Sequence, residues 1–170
     1  SRLCDGDAGN YVHWGATTQN ITQTGDLLQL RKAHRIYLNQ LSQIFTALAK
    51  LADKSKDMAL PGRTHGQHAV PATYGLKVAI WIDEFARHTE RLRQCEPRVF
   101  QALLGGAAGT VASFGDEGLD VQARLAAHLD MPAMQVPARS IMDHLVEHVM
   151  LLGLLAATCG KFGYEIYTGM

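Results

Sequence analysis

An all-α fold, built as an elongated bundle of long helices, is the architecture this chain predicts, and three observations carry it. Apolar residues recur at Leu30, Tyr37, Leu41, Ile44, Leu48 and Leu51, with His34 between the first two. Those steps of three and four are the spacing of a packed helix seam. Second, the long helical patterns break where proline and glycine cluster, at Pro61–Pro71 and at Gly105–Thr110. Third, the last pattern is apolar on much of its circumference, which marks a helix buried on several sides.

Taken in order, residues 1–16 read as irregular, with Gly6, Asp7 and Gly15 among them. A helix is predicted from about Thr18 to Asp57, capped by Thr18 or Asn20, with Asp26 placed to favour its positive end. The stretch Pro61-Gly62-Arg63-Thr64-His65-Gly66-Gln67-His68-Ala69-Val70-Pro71 reads as a polar turn. A second helix is predicted from Ala72 to about Leu104, with Leu76, Ala79, Ile80, Phe85 and Leu92 as its apolar face and a possible kink at Pro97. Its Glu84–His88 and Arg87–Arg91 spacings read as surface pairs. A short helix fits Gly118 to Leu129, ended by Met131-Pro132. The last helix is predicted to open at Ser140, with Asp143 three residues on as in a capping box. Ile141, Leu145, Val149, Leu152, Leu155 and Phe162 keep its helical spacing, and Leu151, Leu154, Ala156 and Ala157 widen its coverage. One small domain has little room to bury such a helix, which implies packing against other subunits or parts.

The 170 residues are enough for a domain with a real core. A formal net charge of zero gives no pointer to nucleic acid or an acidic membrane surface. No apolar run approaches the ~20 residues of a membrane span. The start lacks the charged-then-apolar pattern of a signal peptide and an initiator methionine, so processing, an engineered start or a fragment is expected. Cys4, Cys95 and Cys159 are odd in number and far apart, which favours a reducing cytoplasm over a disulfide framework.

Chemistry concentrates in two stretches. In the polar turn, either His65 or His68 can give or take a proton near neutral pH. Thr64 and Gln67 suit hydrogen bonds to a carboxylate, and Arg63 suits an ion pair with one. A well-bonded helix-to-helix turn is the alternative. Ahead of the first helix, Thr17, Thr18, Gln19 and Asn20 gather hydroxyl and amide groups where backbone N–H groups bind anions. Plain N-capping explains one of them but not the run. Gly105-Gly106-Ala107-Ala108-Gly109-Thr110 is no phosphate loop, since no Gly-Lys-Ser/Thr follows and no strand precedes it; close backbone packing is the simpler reading. His144-Leu145-Val146-Glu147-His148 matches a His-x-x-Glu-His zinc pattern, but little chain remains to supply a further ligand, and a capped helix with one polar face is preferred.

Taken whole, Gly62-Arg63-Thr64-His65-Gly66-Gln67-His68-Ala69, then Pro71, Thr73, Gly75 and Lys77, closely resembles the second conserved region of the fumarase/aspartase superfamily. Within it the closest likeness is to adenylosuccinate lyases. Thr17-Thr18-Gln19-Asn20 resembles the first conserved region, Thr-Ser-x-Asp, with Thr18 for the usual Ser and Asn20 for the usual Asp. Gly105–Thr110 resembles the Gly-Ala-Val-Gly-Thr turn of the same group.

The resemblance runs from about Tyr11 to Met170 and implies a single partial domain over 1–170, part of the superfamily's central helical domain. It implies β-elimination with release of fumarate. His65 becomes the catalytic acid, and His13, Thr17, Thr18, Gln19, Asn20, Arg63, Thr64 and Gln67 the substrate-binding set, with no metal and no cofactor. A stacked surface histidine beside Trp14 is the other reading of His13. It further implies a dicarboxylate or tricarboxylate substrate and a homotetramer. Ile141, Met142 and His144 stand where adenylosuccinate lyases carry Gln, Arg and Arg that help bind a nucleotide. Carboxymuconate cycloisomerases are also similar, in the Gly-Ala-Thr-Thr-Gln stretch, and a non-catalytic helical module is a further alternative. The superfamily's serine base, on a Gly-Ser-Ser-x-Met-Pro-x-Lys-x-Asn-Pro loop, has no counterpart in these residues, so the chain alone is expected to be inactive.

Overall fold

In the computed structural model, which describes residues 2–169, helix α1 (Thr18–Lys54) leads into a hairpin of β1 (Ala59–Thr64) and β2 (Gln67–Thr73). Helix α2 (Tyr74–Val99), the short α3 (Gly118–His128) and α4 (Asp143–Gly169) follow. A 3-10 turn precedes α1 at Ala8–Tyr11, and a 3-10 segment kinked at Gly115 precedes α3 at Ala112–Glu117. Helices α1 and α3 begin at the residues the sequence predicts. The polar turn is a β-hairpin instead, and α4 opens three residues late. Ser140 therefore lies outside the helix, and Asp143 supplies the acidic residue of its first turn.

The chain divides into two compact units, Ser1–Ala33 with Glu96–Glu147 and His34–Cys95 with His148–Met170. In the second unit Leu41 and Leu48 of α1 join Val78, Trp81, Phe85 and Leu92 of α2 in one buried cluster. Leu151, Leu152, Leu155 and Phe162 of α4 pack against it. Trp81 meets the Phe162 ring edge-on at 4.7 Å. The buried face of α2 reads Val78, Trp81, Phe85, His88, Leu92, Cys95 and Val99. That is a strict three-four seam, so Leu76 and Ile80, expected on the apolar face, are exposed.

His88 interrupts this seam with a polar group, and its partners come from α4. Its Nε2 lies 2.8 Å from the Thr158 hydroxyl, which donates to Glu84 at 2.7 Å, while Lys161 pairs with the other Glu84 oxygen. Glu84 and His88 are thus an internal network and not the surface pair expected, because the bonded side chain of α4 gives the buried imidazole a partner.

In the first unit, Leu27, Phe100, Leu103, Ala126, Met131 and Met134 are buried. Thr24 accepts from the Leu103 N–H at 3.2 Å, and Ala102 bridges to Ala133. Arg31 donates to the carbonyls of Leu129 and Asp130, closing the C-terminal end of α3 where a cation is favoured.

Over Asp143–Thr168, α4 is long and apolar enough to cross a membrane by length and composition alone. This corrects the expectation that no run approaches that length, because the charged residues are spaced widely enough to leave an apolar window. Three of its charged residues are engaged within the chain: Glu147 with Arg98, Lys161 with Glu84 and Glu165 with Lys77. Val146, Val149, Met150, Leu154 and Ile166 are exposed on the same helix.

Buried histidines make acid the natural stress on this fold. Burial is the first cause holding His88, His144 and His148 below the ordinary imidazole range; Arg91 adds to it at His88 and His34 at His148. A depressed folded pKa favours the neutral ring in the fold, so its contribution is complete above the unfolded value and lost as pH falls through the folded one. The thermal midpoint is expected to hold above about pH 6.5 and to fall steadily below it. Glu84 and Glu147, held low first by their bonds to Lys161 and Arg98, add a further loss at more acidic pH. A midpoint that stays level from pH 7 to about 5 would contradict this origin.

Candidate active site

The hairpin places the residues of the first polar stretch. Its register pairs Thr64 with Gln67, Arg63 with His68, Gly62 with Val70 and Pro61 with Pro71. Two-stranded sheets have only edges, which is where proline is tolerated, so Pro61 and Pro71 limit the ladder without forbidding it. Between Gly62 and Arg63 the register shifts, leaving Ala69 as the extra residue of a bulge. A side chain at Gly62 would bring its Cβ within 2.8 Å of the Val70 carbonyl oxygen.

At the tip, His65 and Gly66 both have positive φ, 50° and 75°. Two left-handed residues in a two-residue loop are the arrangement whose twist matches the strands. Opposite partners share a face, so Thr64 and Gln67 lie together beside the tip, and Arg63 and His68 on the other face. His65, Arg63, Thr64, Gln67 and His68 are all exposed. The base is held by Tyr74 N–H on the Met58 carbonyl and Gly75 N–H on the Ser55 carbonyl, both at 2.9 Å. At Gly75 a Cβ would come within 2.6 Å of the Lys56 Cα, so the crossing of the α1 end and the α2 start demands glycine.

The second polar stretch is built differently. Thr18 and Gln19 are exposed and Thr17 half-buried, but Asn20 is only 1% exposed. Its Oδ1 accepts from the Thr17 N–H at 3.3 Å and from the Gly106 N–H at 3.0 Å. The first bond is half of a capping box, and the second ties the helix start to the glycine turn. Asn20 therefore acts on the protein's own backbone through its Oδ1. Thr24, four residues on along the same helix, makes the next such tie, to Leu103. The i,i+4 spacing of Asn20 and Thr24 was the available signal for this face, and the sequence reading missed it.

The Gly105–Thr110 stretch is a close-packing turn. Gly106 and Gly109 have φ of 72° and 79°, and Cβ atoms at Gly105 and Gly109 would fall 2.7 and 2.6 Å from the Pro137 carbonyl oxygen. A cavity of about 410 Å³ opens between Gln19 and Asn20, the Gly106–Gly109 turn and residues Pro137–Ser140. His13 is exposed with φ 68°, and the neighbouring Trp14 indole donates to the Ser113 carbonyl at 3.3 Å. Of the predicted residues, Thr17, Gln19 and Asn20 are gathered with the glycine turn in the first unit; Arg63, Thr64, His65 and Gln67 are gathered at the hairpin tip in the second.

The His-x-x-Glu-His stretch is occupied otherwise. His144 lies 3.5 Å from the Gln23 amide nitrogen, Glu147 accepts from Arg98, and the His148 ring packs 5.3 Å from that of His34. Among the described residues, no three His, Cys, Asp or Glu side chains are grouped to hold a metal ion.

A family model described as lyase matches residues 5–168. The chain is 46% identical over 165 residues to an N-acetyl-S-(2-succino)cysteine lyase of Enterococcus italicus, covering 97% of this chain and 36% of that protein. It is 41% identical to an adenylosuccinate lyase of Methanothermobacter thermautotrophicus, covering 96% and 36%. Among solved structures, a fumarate lyase from Mesorhizobium sp. BNC1 superposes with a TM-score of 0.91 at 41% identity, over 96% of this chain and 38% of that one. The chain thus spans little more than a third of the length of the relatives it matches.

Proposed function

Because the chain belongs to this lyase family of the fumarase/aspartase superfamily, we propose that the full-length protein cleaves a succinyl adduct by β-elimination and releases fumarate. In this reading a base removes the proton beside a carboxylate, and the carbanion is stabilised as an aci-carboxylate. His65 protonates the departing heteroatom. Thr17, Thr18, Thr64 and Gln67 hold carboxylates, Asn20 orients them, and His13, Gln19 and Arg63 complete the substrate-binding set. The observation that carries the proposal is the hairpin tip, which fixes His65 in a left-handed turn with Thr64 and Gln67 paired beside it. No serine loop of the superfamily pattern occurs in residues 1–170, so activity requires more than this chain.

Cleavage of a C–N bond, as in adenylosuccinate, is the first reading of the bond broken. Cleavage of a C–S bond is the second, favoured by 46% identity to the N-acetyl-S-(2-succino)cysteine lyase and by Ile141, Met142 and His144 at the nucleotide-holding positions. A cycloisomerase acting on a carboxymuconate is the third, on 40% identity to a 3-carboxy-cis,cis-muconate cycloisomerase of Pseudomonas aeruginosa. The exposed apolar residues of α4 support a homo-oligomer, a tetramer by likeness to the superfamily, with 1–170 as part of one central domain. A cytoplasmic, cofactor-independent enzyme fits these readings. Incubating the full-length protein separately with adenylosuccinate, N-acetyl-S-(2-succino)cysteine and 3-carboxy-cis,cis-muconate tests them. Fumarate from either of the first two is the expected result; no fumarate from either would reject the elimination.

A further inference from the structure

The cavity beside the start of α1 has one charged side chain in its lining, Arg139. The rest of that wall is the polar Gln19, Asn20 and Ser140, the small residues of the glycine turn, and Pro137–Ala138. The Gly106 N–H that faces this region is already taken by Asn20. Arg139 is exposed, and its Nη1 touches only a weak acceptor, Met142 Sδ at 3.6 Å; among the described residues it forms no ion pair. A guanidinium with unused donors, on a wall that carries no other charged side chain, is a site for a planar anion, since no neighbouring charge competes for it.

We propose that Arg139 is a specificity-determining residue that holds a carboxylate on the leaving group. The inference rests on the elimination reading above and deepens it. Thr17, Thr18, Thr64 and Gln67, to which that reading gives the carboxylates of the succinyl part, do not line this cavity, so Arg139 addresses a further anion. The cationic positions that would serve a nucleotide carry Ile141 and Met142, both exposed and apolar, and His144, which is buried against Gln23. The cation has in effect moved upstream to Arg139. The substrate class this selects is a succinyl adduct of a small amine or thiol that carries its own carboxylate, such as an amino-acid derivative.

The test separates Arg139 from the elimination itself. Full-length wild type, Arg139→Ala and Arg139→Lys are titrated calorimetrically with N-acetylcysteine, with N-acetylcysteamine, which lacks the carboxylate, and with fumarate. The wild type is expected to favour N-acetylcysteine over N-acetylcysteamine by about tenfold or more, the size of a charge-assisted hydrogen bond. Arg139→Ala should erase that preference and leave fumarate affinity unchanged, while Arg139→Lys keeps part of it. The assignment is overturned if the wild type shows no preference, if Arg139→Ala retains it, or if the loss falls equally on fumarate. Absence of fumarate from every succinyl adduct would instead reject the elimination, and the titrations would still decide whether Arg139 binds the carboxylate.

Discussion

Replacement of His65 by alanine in the full-length protein is expected to slow fumarate release by about 10²–10⁴-fold, the usual worth of a positioned proton donor. The backbone makes the control informative. His65 sits at φ 50° in a two-residue loop, a conformation that asparagine adopts readily and most side chains do not. His65→Asn therefore keeps the turn and a hydrogen-bonding group but cannot transfer a proton near neutral pH. Both variants should lose kcat to a similar extent, while His65→Asn retains the wild-type thermal midpoint. The loss should also shrink with substrates whose leaving group is a better-stabilised anion, because departure then needs less protonation. If His65→Asn keeps kcat within about threefold of wild type, the role falls to another group. His68, on the opposite face of the hairpin beside Arg63, is the residue to substitute next.

How much of this was legible before folding differs by element. The seam of α1 and its start at Thr18 were plain, since Leu41 and Leu48 are buried where the spacing put them. The hairpin was not. Its turn is His-Gly and lacks the Asn-Gly signal, and its strands begin and end near prolines that read as breakers. For α2 the sequence offered two apolar stripes. Contact with α1 and α4 selected the one through Val78 and Trp81 and left Leu76 and Ile80 outside, a choice no local pattern contains. Helix α4 hides its own faces because it is apolar nearly all round. Its buried members are His144, His148 and Thr158, polar groups whose partners Gln23, His34 and His88 lie on other helices. The chemistry of the polar stretches could be read from residue types, but whether a group faces a ligand or the backbone could not.

Asn20 is the case where that distinction has the largest consequence for stability. Asn20→Ala is expected to destabilise the fold by about 1–3 kcal/mol, because it leaves two half-buried N–H groups, of Thr17 and Gly106, without their acceptor. Asn20→Asp, which restores the residue usual in the superfamily, keeps both bonds. Its charge lies near the positive end of α1, and that gain offsets the burial of a carboxylate, so the change should stay within about 1 kcal/mol. Denaturant midpoints of the two variants measure the difference directly. A residue that only touched substrate would show the reverse: little change in the midpoint on going to alanine, and a loss confined to KM. If Asn20→Ala loses stability and also raises KM, the reason is mechanical. Asn20 holds the Thr17 backbone and the Gly106 turn in one frame, and the cavity beside Arg139 is bounded by that same frame. Loosening it moves the donors and the cation together. A residue buried to 1% can thus govern substrate affinity through the backbone it holds.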